Sequence, residues 1–275
     1  MANTVLNTRP FLKWAGNKYR IIDHIRSMLP TGERLVEPFA GSGAVFLNTD
    51  YPSYLLADSN ADLISLYNIL KQHGGDFISQ CQRLFRTNTN QEDYYYRRRI
   101  EFNKTRDPQR KAALFVYLNR HGYNGLCRYN ARGGFNVPFG RYKHPYFPAD
   151  EMHAFYEKAQ RAEFIQLDFT HVFAQVKSGD VIYCDPPYVP LSKSSNFTSY
   201  SAGGFDMAAQ DTLAELAQDT RANGVPVLIS NHNTHFTRRA YQTADNIKRF
   251  KVRRFISCKG NHRQNASELL ALFGW

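Results

Sequence analysis

The chain has 275 residues, 43% of them apolar, which allows one large α/β domain plus a smaller inserted module and excludes wholesale disorder. Lys and Arg number 35 against 24 Asp and Glu, and a net charge of +11 suits a polyanionic partner, nucleic acid ahead of an anionic membrane surface. Cys81, Cys127, Cys184 and Cys258 form no CxxC pair, which excludes a zinc finger or small disulfide scaffold, and neither a signal peptide nor a run of about 18 apolar residues is present, so a cytoplasmic protein with reduced thiols and no membrane contact is expected.

The first element in chain order is a short apolar strand at 35–38, with glycines directly behind it. A second strand at 54–57 ends in Asp58. From 61 to about 118 the apolar spacing is helical, and YYYRRR at 94–99 reads as part of a helix with a basic face. The stretch 119–148 is rich in Asn, Arg, Gly, Tyr and Pro and predicts ordered loop and hairpin. Strands follow at 164–167, 181–184 and 225–230. A last pair is expected at 252–257 and 268–272, joined by the polar, basic stretch 258–266.

Strands alternating with helices predict a mostly parallel sheet covered on both faces. The block 61–148 interrupts that alternation. It is read as an inserted, mainly helical module, with 1–60 and 149–275 forming the main domain.

EPFAGSG (37–43) follows the first strand. Gly41 and Gly43 suit a tight turn that lets a ligand approach the backbone, and Phe39 completes an FxGxG pattern. No Gly-Lys-Ser/Thr follows, which excludes a P-loop. Asp58 ends the next strand seventeen residues after Gly41. A carboxylate so placed suits the hydroxyls of a nucleoside ribose, and it equally suits the cap of the helix that follows. Asp168 and Phe169 end the third strand, where an acid can accept from an adenine amino group and an aromatic can cover an adenine face; a plain strand end with a core Phe is the competing reading.

Asp185-Pro186-Pro187-Tyr188 follows the strand VIYC and is the most informative tetrapeptide. An adenine amino nitrogen is a poor nucleophile because its lone pair is delocalised into the ring. Methylating it requires acceptors for both of its hydrogens. The Asp185 carboxylate suits one, the Pro186 carbonyl on a stiff di-proline backbone suits the other, and Tyr188 suits stacking on the base. In NFTSY (196–200), Phe197 is a second candidate wall. His232 and His235 in SNHNTH have loose metal-like spacing, but a surface loop is expected there and no metal.

FLKWAGNK (11–18), EPFAGSG (37–43), LNRHGYNGLCRYN (118–130), FNVPFGRYK (135–143), CDPPY (184–188) and NFTSY (196–200) occur in an order that resembles the Dam family of DNA adenine N6-methyltransferases. The resemblance runs from Phe11 to about Leu272. It implies a Rossmann-like, S-adenosylmethionine-dependent methyltransferase domain with an inserted helical target-recognition domain, acting on double-stranded DNA at GATC, with no obligatory protein partner. By the same resemblance Trp14, Lys18, Asp58 and Asp185 line the cofactor site and Lys13 approaches a target guanine. Tyr123, Asn124, Leu126, Arg128, Pro138 and Tyr142 form the recognition set. Arg128 suits bidentate contact with guanine O6 and N7, and Arg141 suits a phosphate. The adenine must leave the stack, and Tyr123 and Leu126 sit on a short loop of the right size to wedge into the vacated step. Asn17 stands where the family usually has glycine, and a retained turn with Asn at positive φ is expected. RNA or protein methyltransferases are rival readings, which Asp185 and the Arg/Tyr loop disfavour. A non-enzymatic DNA-binding protein is another, which the intact DPPY disfavours.

Overall fold

The computed structural model describes residues 7–189, 205–253 and 265–274. Phe197 with its motif, Cys258 and most of the stretch 258–266 lie outside these. Parallel strands buried on both faces need near-continuous apolar runs, and VIYC and VLIS supply them. Seven strands form one sheet: β1 (Arg34–Glu37), β2 (Ser53–Asp58), β3 (Ala162–Gln166), β4 (Asp180–Cys184), β5 (Val227–His232), β6 (Asn246–Arg253) and β7 (Asn265–Phe273). Their order is β3-β2-β1-β4-β5-β7-β6. β1 to β5 pair in parallel, and β7 enters antiparallel between β5 and β6. The architecture is Rossmann-like, as expected.

Each sequence-predicted strand has its counterpart, with boundaries shifted by one to three residues except at the sixth. The strand expected at 252–257 begins at Asn246. In NIKRFKVR the cations dilute the apolar signal, because this edge strand carries charges where a central strand would carry Val or Ile.

The helices are α1 (Ile22–Arg26), α2 (Ala44–Leu47), α3 (Ala61–Gln82), α4 (Glu92–Lys104), α5 (Pro108–His121), α6 (Ala149–Ala159), α7 (Phe169–Phe173), α8 (Met207–Ala222) and α9 (His235–Ala240). Alternation along each strand splits the core into two layers. Leu35, Tyr54, Leu56, Val181 and Tyr183 point to one face, and Val36, Leu55, Ile182, Val227 and Ile229 to the other. Burying each such side chain contributes roughly 1.5–3 kcal/mol of transfer free energy. α3 covers the first face: the Tyr67 ring lies 5.3 Å from Phe164, and Asn68 Nδ2 donates to the Phe164 carbonyl at 3.1 Å. The same cluster continues without a break through Phe102, Phe115 and Phe135, so α4, α5 and the loops after them rest on α3. On the start of the sheet Arg34 grips the buried Asp180 with two hydrogen bonds of 2.9 and 2.7 Å.

Local caps explain two boundaries. Asp107 accepts from the amides of Gln109 and Arg110, with Pro108 in the first turn of α5. α3 is capped by Asn60, whose side chain accepts from Leu63 N at 3.1 Å. The alternative of Asp58 as that cap is thereby corrected: Asp58 lies two residues too early to reach the first helical amides, and its Oδ1 accepts from Asn60 N.

Candidate functional site

β1 and β4 are parallel neighbours, with β2 and β3 on one side and β5 on the other. Phe46 of α2, after β1, belongs to one core layer and Leu213 of α8, after β4, to the other, the arrangement of a switch point, where ligands bind beyond the carboxyl ends of the strands. EPFAGSG and DPPY therefore meet although they are far apart in sequence.

On the β1 side, Gly41 has φ +47, and a Cβ there would stand 3.0 Å from Trp14 Nε1. The turn needs glycine both for its backbone angle and for the indole lying against it. Gly41 N donates to Asp58 Oδ2 at 3.1 Å, and Tyr67 OH donates to the Gly41 carbonyl at 2.5 Å. Each Asp58 oxygen thus holds one backbone amide and keeps a further lone pair. Burial raises the Asp58 pKa, against the two amides that lower it.

On the β4 side, the buried Lys18 ammonium stands 2.8 Å from Asp185 Oδ1 and 4.3 Å from the Tyr188 ring centroid, and it also donates to the Gly16 carbonyl. Ser230 Oγ reaches Asp185 Oδ1 at 3.1 Å and the Cys184 carbonyl at 3.3 Å. Burial raises the Asp185 pKa; Lys18, and then Ser230, oppose it. Beneath both sides lies Glu37, 2% exposed. Burial, and then the Asp185 charge, push its pKa up to about 8. Its carboxyl accepts from the Phe46 amide, and Oε1 has no hydrogen-bond partner among the described residues.

The DPPY loop is seated by β5. Asn231 Oδ1 accepts from Val189 N at 3.1 Å, and His232 Nδ1 lies 2.7 Å from the Val189 carbonyl. The His232 ring meets Tyr188 edge-on at 4.7 Å, and Tyr188 OH donates to Glu268 Oε2 at 3.4 Å. Pro186 is buried, and the Pro187 carbonyl accepts from Gln210 Nε2 at 2.7 Å. The surface loop expected at the histidines is thus corrected: His232 ends β5 and His235 begins α9, because VLISNH continues the buried strand. Sequence reasoning overlooked Ser230, Asn231 and Glu268, which carry no motif that announces a seat. Among the described residues no group of three or more His, Cys, Asp or Glu is clustered for a metal.

Phe39 and Phe169 stack at 5.5 Å, and Phe205, unforeseen from the sequence, packs against both. Asp168 is exposed and caps α7 through Thr170 N at 3.0 Å. Asn17 corrects an expectation. The turn is retained, but Asn17 has φ −48 and accepts from Tyr19 N at 2.7 Å, while Gly16 takes the positive φ of +77.

The remaining residues gather on the α5 side. Lys13 Nζ lies 3.9 Å from the Tyr142 ring centroid, and Tyr142 OH accepts from Asn124 N at 2.9 Å. Burial, and then Arg120, lower the Lys13 pKa to about 8. Tyr123 is 52% exposed, and its amide donates to the Pro138 carbonyl at 2.9 Å. Leu126 is half-buried against the core. Arg128 is turned onto Asn136, with Nε to Oδ1 at 2.8 Å and Nη2 to the carbonyl at 3.2 Å. Arg141, at φ 52, projects with its side chain 78% exposed, 3.8 Å from Glu92. Lys13, Tyr123, Asn124, Pro138 and Tyr142 thus come together, whereas Arg128 is spent internally. Cys127 Sγ accepts from Asn60 Nδ2 at 3.4 Å, which links this tract to the turn after β2.

The family described as D12 class N6 adenine-specific DNA methyltransferase matches residues 14–256. The DNA adenine methylases of Salmonella typhi and Escherichia coli K12 are each 54% identical over 265 residues, covering 96% of this chain and 95% of theirs. That of Vibrio cholerae O395 is 50% identical over 266 residues, covering 96% of each. The chain belongs to the D12 class of N6 adenine-specific DNA methyltransferases. For this methyltransferase the +11 charge has its counterpart in the DNA substrate. Among the described residues no helix of the methyltransferase is long and apolar enough to cross a membrane.

Proposed function

We propose that this methyltransferase takes its methyl group from S-adenosylmethionine and places it on N6 of the adenine in duplex GATC, with that base flipped out of the stack. The observation that carries the reading is the contact of Lys18, Asp185 and Tyr188 at the end of β4, beside the bare Gly41 turn that ends β1.

The residues fit the donor. A Cβ-free turn under the Trp14 indole, the Phe39–Phe169 stack and the Asp58 carboxylate suit an adenosine, with Asp168 available to its amino group. Asp185 suits a cationic ligand, and the buried Glu37 carboxyl, with Oε1 unpartnered among the described residues, is a polar group to spare. When bound, S-adenosylmethionine supplies an electrophilic methyl group on a sulfonium centre. Asp185 Oδ1 is engaged by Lys18 and Ser230, which leaves Oδ2 to accept one N6 hydrogen. The Pro186 carbonyl accepts the other, and together they hold the amine for in-line attack. Tyr188, held by Glu268 and His232, stacks on the flipped base.

Residues 61–148 serve as the target-recognition part, with α3 doubling as a cover of the sheet. Tyr123, exposed on its loop, and Leu126 beside it act as the wedge. Arg128 exchanges Asn136 for guanine O6 and N7, Lys13 meets another guanine edge, Asn124, Pro138 and Tyr142 complete the reading surface, and Arg141 holds phosphate. Methyl transfer from labelled S-adenosylmethionine to matched duplexes containing GATC or GTTC tests this. Transfer to GATC alone, abolished by Asp185→Ala, is expected. Transfer to both discards the specificity, and transfer to neither discards the substrate.

A further inference from the structure

Asn119 lies in the last turn of α5, 2% exposed. Its hydrogen bonds leave the helix. Oδ1 accepts from the Lys13 amide at 2.9 Å, and Nδ2 donates to the Lys13 carbonyl at 2.8 Å and the Gly125 carbonyl at 3.3 Å. One carboxamide thus pairs with both backbone groups of Lys13, as a neighbouring strand would, and adds the loop of Tyr123 and Leu126 as a third partner. The fit is close on the loop side as well. Gly125 has φ +61, and a Cβ there would stand 2.2 Å from Lys13 Cβ. At the far end of the Lys13 side chain, Nζ donates to the Arg120 carbonyl at 3.3 Å beneath the Tyr142 ring. Lys13 is 106 residues before Asn119 in the chain, and the Asn119 side chain joins its backbone to that of Gly125.

We propose that Asn119 is a positioning residue for sequence specificity, which holds the Lys13 segment and the 123–126 loop in one register so that both address the duplex as a unit. This rests on the reading of Lys13 and the 123–142 tract as the DNA-reading surface. The chemistry selects the residue type. Satisfying an amide and two carbonyls takes one acceptor and two donors on a single short side chain, which a carboxamide has. An aspartate keeps the acceptor and turns an oxygen toward two carbonyls. A buried polar group left unpaired is costly enough to move a backbone segment.

The test uses the full chain and hemimethylated duplexes carrying intact GATC, or GATC with either outer G·C pair replaced by A·T. Single-turnover methylation is compared for the wild type, Asn119→Ala, Lys13→Ala and the double variant. Asn119→Ala is expected to lower discrimination about tenfold at the pair for which Lys13→Ala lowers it, with the double variant no worse than Lys13→Ala. Affinity for S-adenosylhomocysteine should stay within about twofold of wild type. Equal losses on all three duplexes, or additive losses in the double variant, would overturn the proposal while leaving the assigned substrate intact. A wild type that fails to discriminate would overturn the recognition reading itself, and the role of Asn119 with it. Asn119→Asp supplies a second readout should the alanine variant fold poorly. A protonated carboxyl regains a donor, so discrimination relative to wild type over the same range should recover as pH is lowered from 8 to 6 by about tenfold. A flat profile argues against the hydrogen-bond role.

Discussion

Lys18 and Asp185 lie 2.8 Å apart, with 7% and 22% of their side chains exposed, so a residue just before α1 supplies the countercharge for the loop after β4. Removing the cation in Lys18→Met should leave Asp185 without its main support. Stability in denaturant should fall by about 1–3 kcal/mol, and kcat/KM by about a hundredfold or more. Lys18→Met with Asp185→Asn should regain most of the stability, since no lone buried charge remains, and none of the activity. A double variant as unstable as the single one would show that the pair is not what Lys18 stabilises.

Glu37 predicts a pH dependence of folding. Its folded pKa, about 8, lies above its ordinary value of 4.5. A group raised on folding contributes stability that is complete below the unfolded value and is lost as pH climbs to the folded one. The window is therefore about pH 4.5 to 8. Glu37→Gln, neutral throughout, should gain on wild type across that window by up to about 1.4 kcal/mol per pH unit. Chemical unfolding of both proteins at pH 5, 6.5 and 8 measures it, and parallel curves would contradict the assignment.

The Gly41 turn admits no side chain. Gly41→Ala meets Trp14 Nε1 at 3.0 Å in a left-handed backbone, which carries a penalty of about 1 kcal/mol by itself. Binding of S-adenosylhomocysteine, followed calorimetrically, should weaken by about tenfold or more. Unchanged binding would remove Gly41 from the donor site.

Lys13 carries a cation whose folded pKa is lowered to about 8. Its charge is complete below that pH and lost above it. Duplex affinity at fixed salt should fall as pH rises from 7 to 9. Lys13→Gln should flatten that fall. A wild-type affinity that does not change with pH would sink the role assigned to Lys13.

Arg34 and Asp180 offer a control far from the site. Arg34→Met leaves a buried carboxylate without its bidentate partner and should lower stability by about 3–5 kcal/mol. The folded fraction should keep its kcat. A drop in kcat at full folding would show that the amino ends of β1 and β4 communicate with their carboxyl ends.

Much of this protein was legible in its sequence. The apolar runs around Val36, Leu55, Ile182 and Ile229 mark strands buried on both faces, since such strands must be apolar at consecutive positions. The glycine turn and DPPY are local, because their backbone and side-chain requirements lie within a few neighbouring residues. What lies far apart in the chain was decided only by the tertiary structure. The pairing of β1 with β4 brings Lys18 to Asp185, and β5 and β7 bring Asn231, His232 and Glu268 to the DPPY seat. The Asn119 bridge to Lys13 was likewise invisible. A hydrogen bond between residues a hundred positions apart leaves no period or spacing in the chain, because its geometry exists only once the strands have chosen their neighbours.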